Sequence, residues 1–311
     1  MSSLPRLFLR EENNMSFSND VKSELCGAMT DGSAALAECH GMLVGCRSFS
    51  FNKIVLQTAN REVAEHFVLL LRRCFDIMSH VKEGGSVRPT YTVEVASEAD
   101  RKKILYKLSY RQDSDIGVDF GRLKTEGNIK DFIRGAFLAS GTLADPEKEY
   151  RAEYSFRENE TAADFFTLLD SQGMSFSMTF RAGKFLVYTK NSTTIEDLLT
   201  YIGAGGETLS LIGVKVYKSV RNRLNRQNNF ETSNILKTAD AAFLQNTAIL
   251  KLKKAGKLET LPDELLEAAE LRMNNPDLSL SALCKLSKTP ITRSGLNHRI
   301  KKLMALAQEL D

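Results

Sequence analysis

No stretch of this 311-residue chain approaches the roughly 18 uninterrupted apolar residues of a membrane span. The opening MSSLPRLFLREENN holds too short an apolar run for a secretory signal, so the expected compartment is the cytoplasm, with no membrane partner. Cysteine pairs at metal-binding spacing are missing as well. The five cysteines (Cys26, Cys39, Cys46, Cys74, Cys284) show no CxxC or CxxH, and four fall inside apolar helical patterns. They read as reduced, structural thiols with no part in a metal site or disulfide framework. Tryptophan is absent and prolines number six, but 42% apolar and 26% charged residues are ordinary for a globular protein and exclude disorder, collagen and coiled coil. At this length two domains are expected.

Acidic residues are the next scarcity. None occurs between Leu278 and Gln308, where Lys285, Lys288, Arg293, Arg299, Lys301 and Lys302 all lie. From Val214 onward 17 Lys and Arg face ten acids, so the net charge of +3 divides into about +7 behind and −4 in front. A basic module at one end is the electrostatic footprint of polyanion binding, although a solvated face that balances the acidic front would show the same count.

The front part reads as a duplication. SNDVKSELCGAM is helical with Ser18 or Asn19 as its cap, and DGSAALAECHGMLVGC is a second helix. SFSF and KIVLQTA form a hairpin around Asn52, NREVAEHFVLLLRRCF is an amphipathic helix capped by Asn60, YTVEVAS is a strand and DRKKILYKLSY a helix. After a loop over 117–128 the order returns. IKDFIRGAFLASG is a helix, EYRAEYSF a strand and ETAADFFTLLDSQG a helix; MSFSMTF and KFLVYTK form a hairpin across Ala182 and Gly183, and STTIEDLLTYIG closes the unit. An αββαββα unit used twice, over about 18–111 and 128–202, is expected from pattern rather than identity. GAGGETL, with Gly203, Gly205 and Gly206, follows a helix and is read as a helix C-cap, not a phosphate loop. His40 and His66 sit in apolar runs as core histidines, and no Ser-His-Asp or Cys-His order supports nucleophilic catalysis.

Residues 214–230 are basic and Asn-rich and read as a linker, in which Arg221, Arg223 and Arg226, beside Lys215 and Lys218, are candidates for contacts to a phosphate backbone. A long helix near Ile235–Lys254 opens a C-terminal helical domain over 231–311. PDELLEAAELRMNN starts with Pro262 in a first turn, SLSALCKLS is capped by Ser279, and TRSGLNHRIKKLMALAQEL starts at Thr292, behind Pro290. Two short helices, a turn and a basic helix form a helix-turn-helix over about 278–311. On the last helix Leu296, Ile300, Leu303, Ala307 and Leu310 make the core stripe, with Ser294, His298, Lys301 and Lys302 broadly opposite and Arg293 and Asn297 on the flank. With Lys288 and Thr292 these are the candidate contacts to double-stranded DNA, clustered where a recognition helix meets the major groove. A solvated basic face is the alternative.

CHGMLVGCR and IRGAFLASG, aligned so that Gly41 matches Gly135, Gly45 matches Ala139 and Cys46 matches Ser140, resemble the paired LAGLIDADG helices of homing endonucleases. With MSFSNDVKSEL, FIRGAFLASGTLADPEKEY, VRNRLNRQNNFETSNILKTADAAF and ITRSGLNHRIKKL the chain resembles the WhiA family of bacterial DNA-binding regulators along almost its whole length. The resemblance implies an α+β fold, in which a duplicated LAGLIDADG-like saddle over 15–213 is followed by an all-α helix-turn-helix domain. It also implies that Met15 is the start and residues 1–14 an extension. An active LAGLIDADG nuclease ends each helix in a metal-binding acid; Cys46 and Ser140 stand at those positions, so neither catalysis nor a cofactor or metal is expected. The function implied by the resemblance is that of a non-enzymatic regulator of cell division and chromosome segregation, or of sporulation, acting on the nucleoid. The front domain would add DNA contacts or recruit a protein, and the oligomeric state stays open. The alternative is a metal-dependent endonuclease with relocated ligands, of which Asp145 is the nearest.

Overall fold

A computed structural model describes residues 16–85, 89–111, 123 and 126–310. The N-terminal extension, Met15 and most of the 117–128 loop lie outside the described residues. A first helix, α1 (Phe17–Cys26), precedes two copies of one seven-element order. The first copy runs α2 (Gly32–Val44), β1 (Ser48–Phe49), β2 (Ile54–Thr58), α3 (Arg61–Phe75), β3 (Val81–Gly84), β4 (Thr90–Glu94) and α4 (Glu98–Lys107). The second runs α5 (Glu126–Ser140), β5 (Gly141–Leu143), β6 (Ala152–Phe156), α6 (Asn159–Ser171), β7 (Ser177–Arg181), β8 (Lys184–Thr189) and α7 (Ser192–Ile202). Each copy forms an antiparallel four-stranded sheet of the same topology, β1-β2-β4-β3 and β5-β6-β8-β7. β3 and β5 were not expected as strands, because the exposed, charged VKEG and the three-residue GTL carry no alternation to read.

Local chemistry sets most boundaries. Asn60 caps α3 by accepting the Val63 amide at 3.2 Å, and Asn191 caps α7 through Thr193 and Thr194. Gly203 ends α7 in the left-handed region at φ 96°, which glycine tolerates without the Cβ clash of other residues, so GAGGETL is a helix C-cap. Ser16 rather than Ser18 or Asn19 precedes α1; the Ser18 hydroxyl accepts the Leu143 amide instead.

α2 and α5 cross with their backbones in contact. A Cβ on Gly41 would overlap the Phe132 carbonyl, and one on Gly135 would overlap the Glu38 carbonyl. One on Gly45 would sit 2.8 Å from the Ala139 Cβ. The two clashes are mates: Glu38 and Phe132 each lie three residues before their glycine. The chemistry there is not symmetric. On one side the fully buried Glu38 accepts from the Thr30 hydroxyl at 2.6 Å, shares a 2.9 Å hydrogen bond with His66, and lies 3.1 Å from Arg134 Nε. Burial alone would push the Glu38 carboxyl up, but His66 and the Arg134 charge outweigh it and hold the group below its usual range. Arg134 also donates to the Leu25 and Ala28 carbonyls, which ties α1 to the crossing. On the other side Phe132 packs edge-on against His40 at 5.2 Å, and His40 bonds the Tyr110 hydroxyl at 2.7 Å. Phe67, Phe75, Phe132, Phe137 and Phe165 fill the continuous core around these helices.

The chain divides into two compact units, Met1–Tyr217 and Lys218–Asp311. The stretch 214–230, expected as a linker ahead of a helix near Ile235, is itself helical: α8 runs unbroken from Gly205 to Lys254. Asparagine lowers helix propensity by only tenths of a kcal/mol per residue and no proline interrupts the run, so nothing ends the helix. The Glu24 carboxylate of α1 accepts the Gly206 and Glu207 amides at 2.7 and 2.9 Å, and so satisfies the first donors of α8. Beyond a 3₁₀ turn at Leu258–Thr260 come α9 (Asp263–Asn274), α10 (Leu280–Leu286) and α11 (Arg293–Gln308), packed on a second core with the end of α8. Among the described residues no helix is long and apolar enough to cross a membrane.

Gly135→Ala is expected to cost about 3 kcal/mol or more, because the atom in its way is backbone and cannot turn aside. Gly45→Ala, opposed by a side-chain methyl, should cost less. Urea unfolding followed by circular dichroism ranks the two; equal stabilities would contradict the backbone contact.

Candidate nucleic-acid interface

Leu296, Ile300, Leu303 and Ala307 bury one stripe of α11 against Leu265, Ala268 and Ala269 of α9 and Leu283 of α10. The opposite face is thereby fixed outward. Ser294, His298 and Lys301 line it at helical spacing, Lys302 and Arg293 flank it, and all five are exposed. Asn297 is half-buried on the Arg293 side. Thr292 is exposed, but its hydroxyl accepts the Gly295 amide at 3.1 Å and is occupied as the N-cap of α11. Lys288 is exposed in the turn between α10 and α11. Ala305 completes the outward stripe with a small side chain that a helical projection alone does not single out.

Three polar residues that sequence patterning did not identify hold this geometry. Glu267 of α9 accepts from the Ser287 hydroxyl at 3.2 Å and from the Thr289 hydroxyl at 3.1 Å, and so pins the turn. Arg299 points back to α9, 3.3 Å from Glu264 and 3.9 Å from Glu267. Of the cations between Leu278 and Gln308 it is therefore held as scaffold. Desolvation would raise the Glu267 carboxyl, but the Thr289 and Ser287 bonds and Arg299 reverse that and lower it. Arg272, 1% exposed, donates to the Leu278 carbonyl at 2.6 Å and closes the α9–α10 connection. None of these partnerships follows a sequence period, so none was visible without the packing.

Arg221, Arg223 and Arg226 are exposed on α8. Helical periodicity puts Arg223 and Arg226 on one side of α8 and Arg221 nearly opposite Arg223. Lys215 is paired with Glu196 at 2.8 Å.

In the front unit, the sheet faces turned away from the helices carry cations beside carboxylates: Lys82 with Glu94 at 3.8 Å and Arg151 with Glu153 at 2.7 Å. The ends of α2 and α5 meet, with Ser140 Oγ 3.2 Å from where a Gly45 Cβ would be. The donors there do not suit a hard divalent ion. Ser140 gives its proton to the Ala136 carbonyl at 3.0 Å, and burial pushes the Cys46 thiol up, keeping it protonated. A cleft of about 730 Å³ beside Cys46 holds Arg47 and Arg157 as well as Glu158 and Glu160, a mixed charge set. Among the described residues no three His, Cys, Asp or Glu side chains are grouped to hold a metal. Asp145 Oδ1 accepts the Glu147 amide at 3.0 Å within its own turn.

Residues 129–221 match the family model of the WhiA LAGLIDADG-like domain, and residues 224–307 that of the WhiA C-terminal HTH domain. The chain is 33% identical to a protein of Clostridium acetobutylicum named probable cell division protein WhiA, over 95% of this chain and 98% of that protein. A Thermoanaerobacter protein of the same name is likewise 33% identical, with the same coverage of each chain. The crystal structure of full-length DUF199/WhiA from Thermotoga maritima shares the fold, with a TM-score of 0.57 at 21% identity over 95% of this chain and 99% of that one.

Replacing Glu267 with Gln should destabilise the C-terminal unit at neutral pH by about 1–3 kcal/mol, since hydrogen bonds to a charged acceptor are the stronger kind. A carboxyl with a depressed folded pKa stabilises above the unfolded value near 4.3 and loses that contribution as pH falls through the folded value. The gap between wild type and Glu267→Gln should therefore close below about pH 4. Thermal unfolding from pH 7 to 3 measures it; a pH-independent gap would refute the role given to the charge.

Proposed function

Because the chain belongs to the WhiA family, we propose that it is a non-enzymatic regulator that binds duplex DNA through the exposed face of α11 and serves cell division. The observation that carries this reading is the outward stripe of Arg293, Ser294, His298, Lys301 and Lys302 along α11, fixed by the buried stripe behind it. No acid interrupts it, and the one cation that could compete, Arg299, is drawn back to α9. The N-terminal turns of such a helix present donors to base edges, while Lys288 and Lys302 at its borders suit phosphates. Asn297 is placed to add a base contact, and Arg223 and Arg226 of α8 to follow a backbone.

The front unit is assigned a secondary part. Ion-paired sheet faces and an acidic balance ahead of residue 214 give little net attraction for a polyanion, so this unit adds contacts or receives a protein. The saddle extends over 15–213 in this reading, and the helix-turn-helix over about 278–311. The protein works in the cytoplasm on the nucleoid, and the relatives' printed name supports a division role, with chromosome segregation or sporulation as its setting. Hydrolysis is not assigned, since the paired helix ends offer a thiol and a committed hydroxyl.

Fluorescence anisotropy with labelled duplex DNA across a salt series tests the assignment on the full chain. Arg293→Ala or Lys301→Ala should weaken binding by about 1–3 kcal/mol where the residue reads a base edge, or lower the salt slope by about one where it contacts phosphate. Unchanged affinity in both would sink the α11 reading. Incubation with plasmid and Mg²⁺ should leave the DNA intact; metal-dependent nicking that survives repurification and disappears in a front-domain variant would make the protein an endonuclease.

A further inference from the structure

Each four-stranded sheet ends in two edge strands, and a bare edge offers a row of amides and carbonyls to another strand. Three of the four edges are blunted. β1 is two residues long, β3 carries Lys82 and Glu83, and the Leu143 amide of β5 donates to the Ser18 hydroxyl of α1. β7 has none of these protections. Its five residues, SMTFR, are all exposed, and its one charge is Arg181 at the hairpin end. Among the described residues no strand pairs with β7 on the side away from β8. Ala182 and Gly183 turn at φ 51° and 74°, the two positive values of a type I′ turn, so Arg181 and Lys184 close the hairpin as a hydrogen-bonded pair. Along an antiparallel ladder such pairs alternate with pairs that share no hydrogen bond. Thr179 and Ser177 therefore also bond to β8, whereas Met178 and Phe180 aim their amides and carbonyls at the open edge. The same two residues carry the large side chains. Met178 is 41% and Phe180 61% exposed, on the side of the sheet where Val187 is buried, and the Phe180 and Phe185 ring centroids are 4.8 Å apart.

We propose that β7 pairs antiparallel with β7 of a second copy of this chain, so that the two second-repeat sheets continue into one. The register that keeps all five residues paired sets Thr179 against Thr179 of the second copy, Met178 against Phe180, and Ser177 against Arg181. In it the outward groups of Met178 and Phe180 meet those of their mates about a two-fold axis, each pair exchanging both of its hydrogen bonds. Methionine and phenylalanine then form one apolar strip beside the Phe185 rings. The single charge of each strand lies against a serine, and the two arginines stand at opposite ends. This match of the strand to itself favours a second copy over an unrelated extended peptide, and it does not depend on how α11 meets DNA. A pairing of five residues is small beside the roughly 1,200–2,000 Å² of a stable interface, so the association is weak and concentration-dependent.

Disulfide trapping and sedimentation of the full-length chain test the pairing. In this register Thr179 and its mate share no hydrogen bond, and their Cα atoms are about 4.5 Å apart, within the span of a disulfide. Under mild oxidation Thr179→Cys should give a reducible covalent dimer, with peptide mapping placing position 179 in both halves of the bridge. Ser177→Cys, whose own mate lies further along the strand, should not link to itself. The wild type should associate increasingly with concentration. Phe180→Pro removes an amide that β8 does not use, so it should keep the fold by circular dichroism and lose the association. Met178→Lys should lose it as well, by placing a charge in the apolar strip, and decides alongside the cross-link if Phe180→Pro fails to fold. A wild type that sediments as a monomer at every concentration would leave the edge to an extended segment of another protein and overturn the second copy. A bridge through Cys26, Cys46, Cys74 or Cys284 instead of position 179, equal linking at position 177, or association that survives in the folded variants would overturn it too.

Discussion

The crossing of α2 and α5 is the constraint on which the front unit is built. Two helices meet backbone to backbone only where no Cβ intervenes, and Gly41, Gly45 and Gly135 provide that clearance. So close an approach leaves little room for a hydrated charge, and the Glu38 carboxylate at the contact is taken out of water entirely. A buried carboxylate persists only when its oxygens are occupied, and here Thr30, His66 and Arg134 occupy them. Arg134 in turn draws in the carbonyls that end α1, and Glu24 of α1 caps α8. The clearance at these three glycines is thus tied through charge neutralisation to the cap of α8.

The C-terminal unit solves the same problem of a polar group in a packed setting on a smaller scale. Arg272 is buried to close a loop, Glu267 is engaged to hold a turn, and Arg299 is withdrawn to reinforce Glu267. These ties leave α11 with one apolar face and one cationic face. Affinity for a polyanion requires cations without local counter-charges, and the two units differ on this point: the front sheets set Lys82 against Glu94 and Arg151 against Glu153, whereas α11 keeps Lys301 and Lys302 clear.

Much of the fold is legible in the sequence wherever the cause is local. Alternation and the 3.6-residue period locate most strands and nearly every helix; Asn60, Ser279 and Thr292 cap as expected because a cap and its amides are within three residues of each other. The repeat order is readable because both copies keep their glycine-bearing helix and the hairpin beyond it. Illegible are the pairings set by packing alone: Glu38 with Arg134, Glu267 with Ser287 and Thr289, Arg299 with Glu264. β3 escapes because VKEG buries no full face, and β5 because three residues, though Gly141 and Leu143 are buried, are too few to show a period. The run through 214–230 reads as a connector because arginine and asparagine have that composition, while continuity from a well-capped start at Gly205 decides the matter in favour of helix.

The two sides of the α2–α5 crossing are not equivalent. Glu38 and Phe132 hold mated positions, as do Arg134 and His40, so a salt link lies on one side of the pseudo-axis and an aromatic contact on the other. If each repeat were made as a separate polypeptide, a self-pair of the first would set Glu38 against His40 twice, and a self-pair of the second would bury two arginines against phenylalanines with no counter-ion. Only the mixed pair places one acid against one arginine. The interface is thus complementary rather than self-complementary: the charge on one repeat is met by the opposite charge on the other.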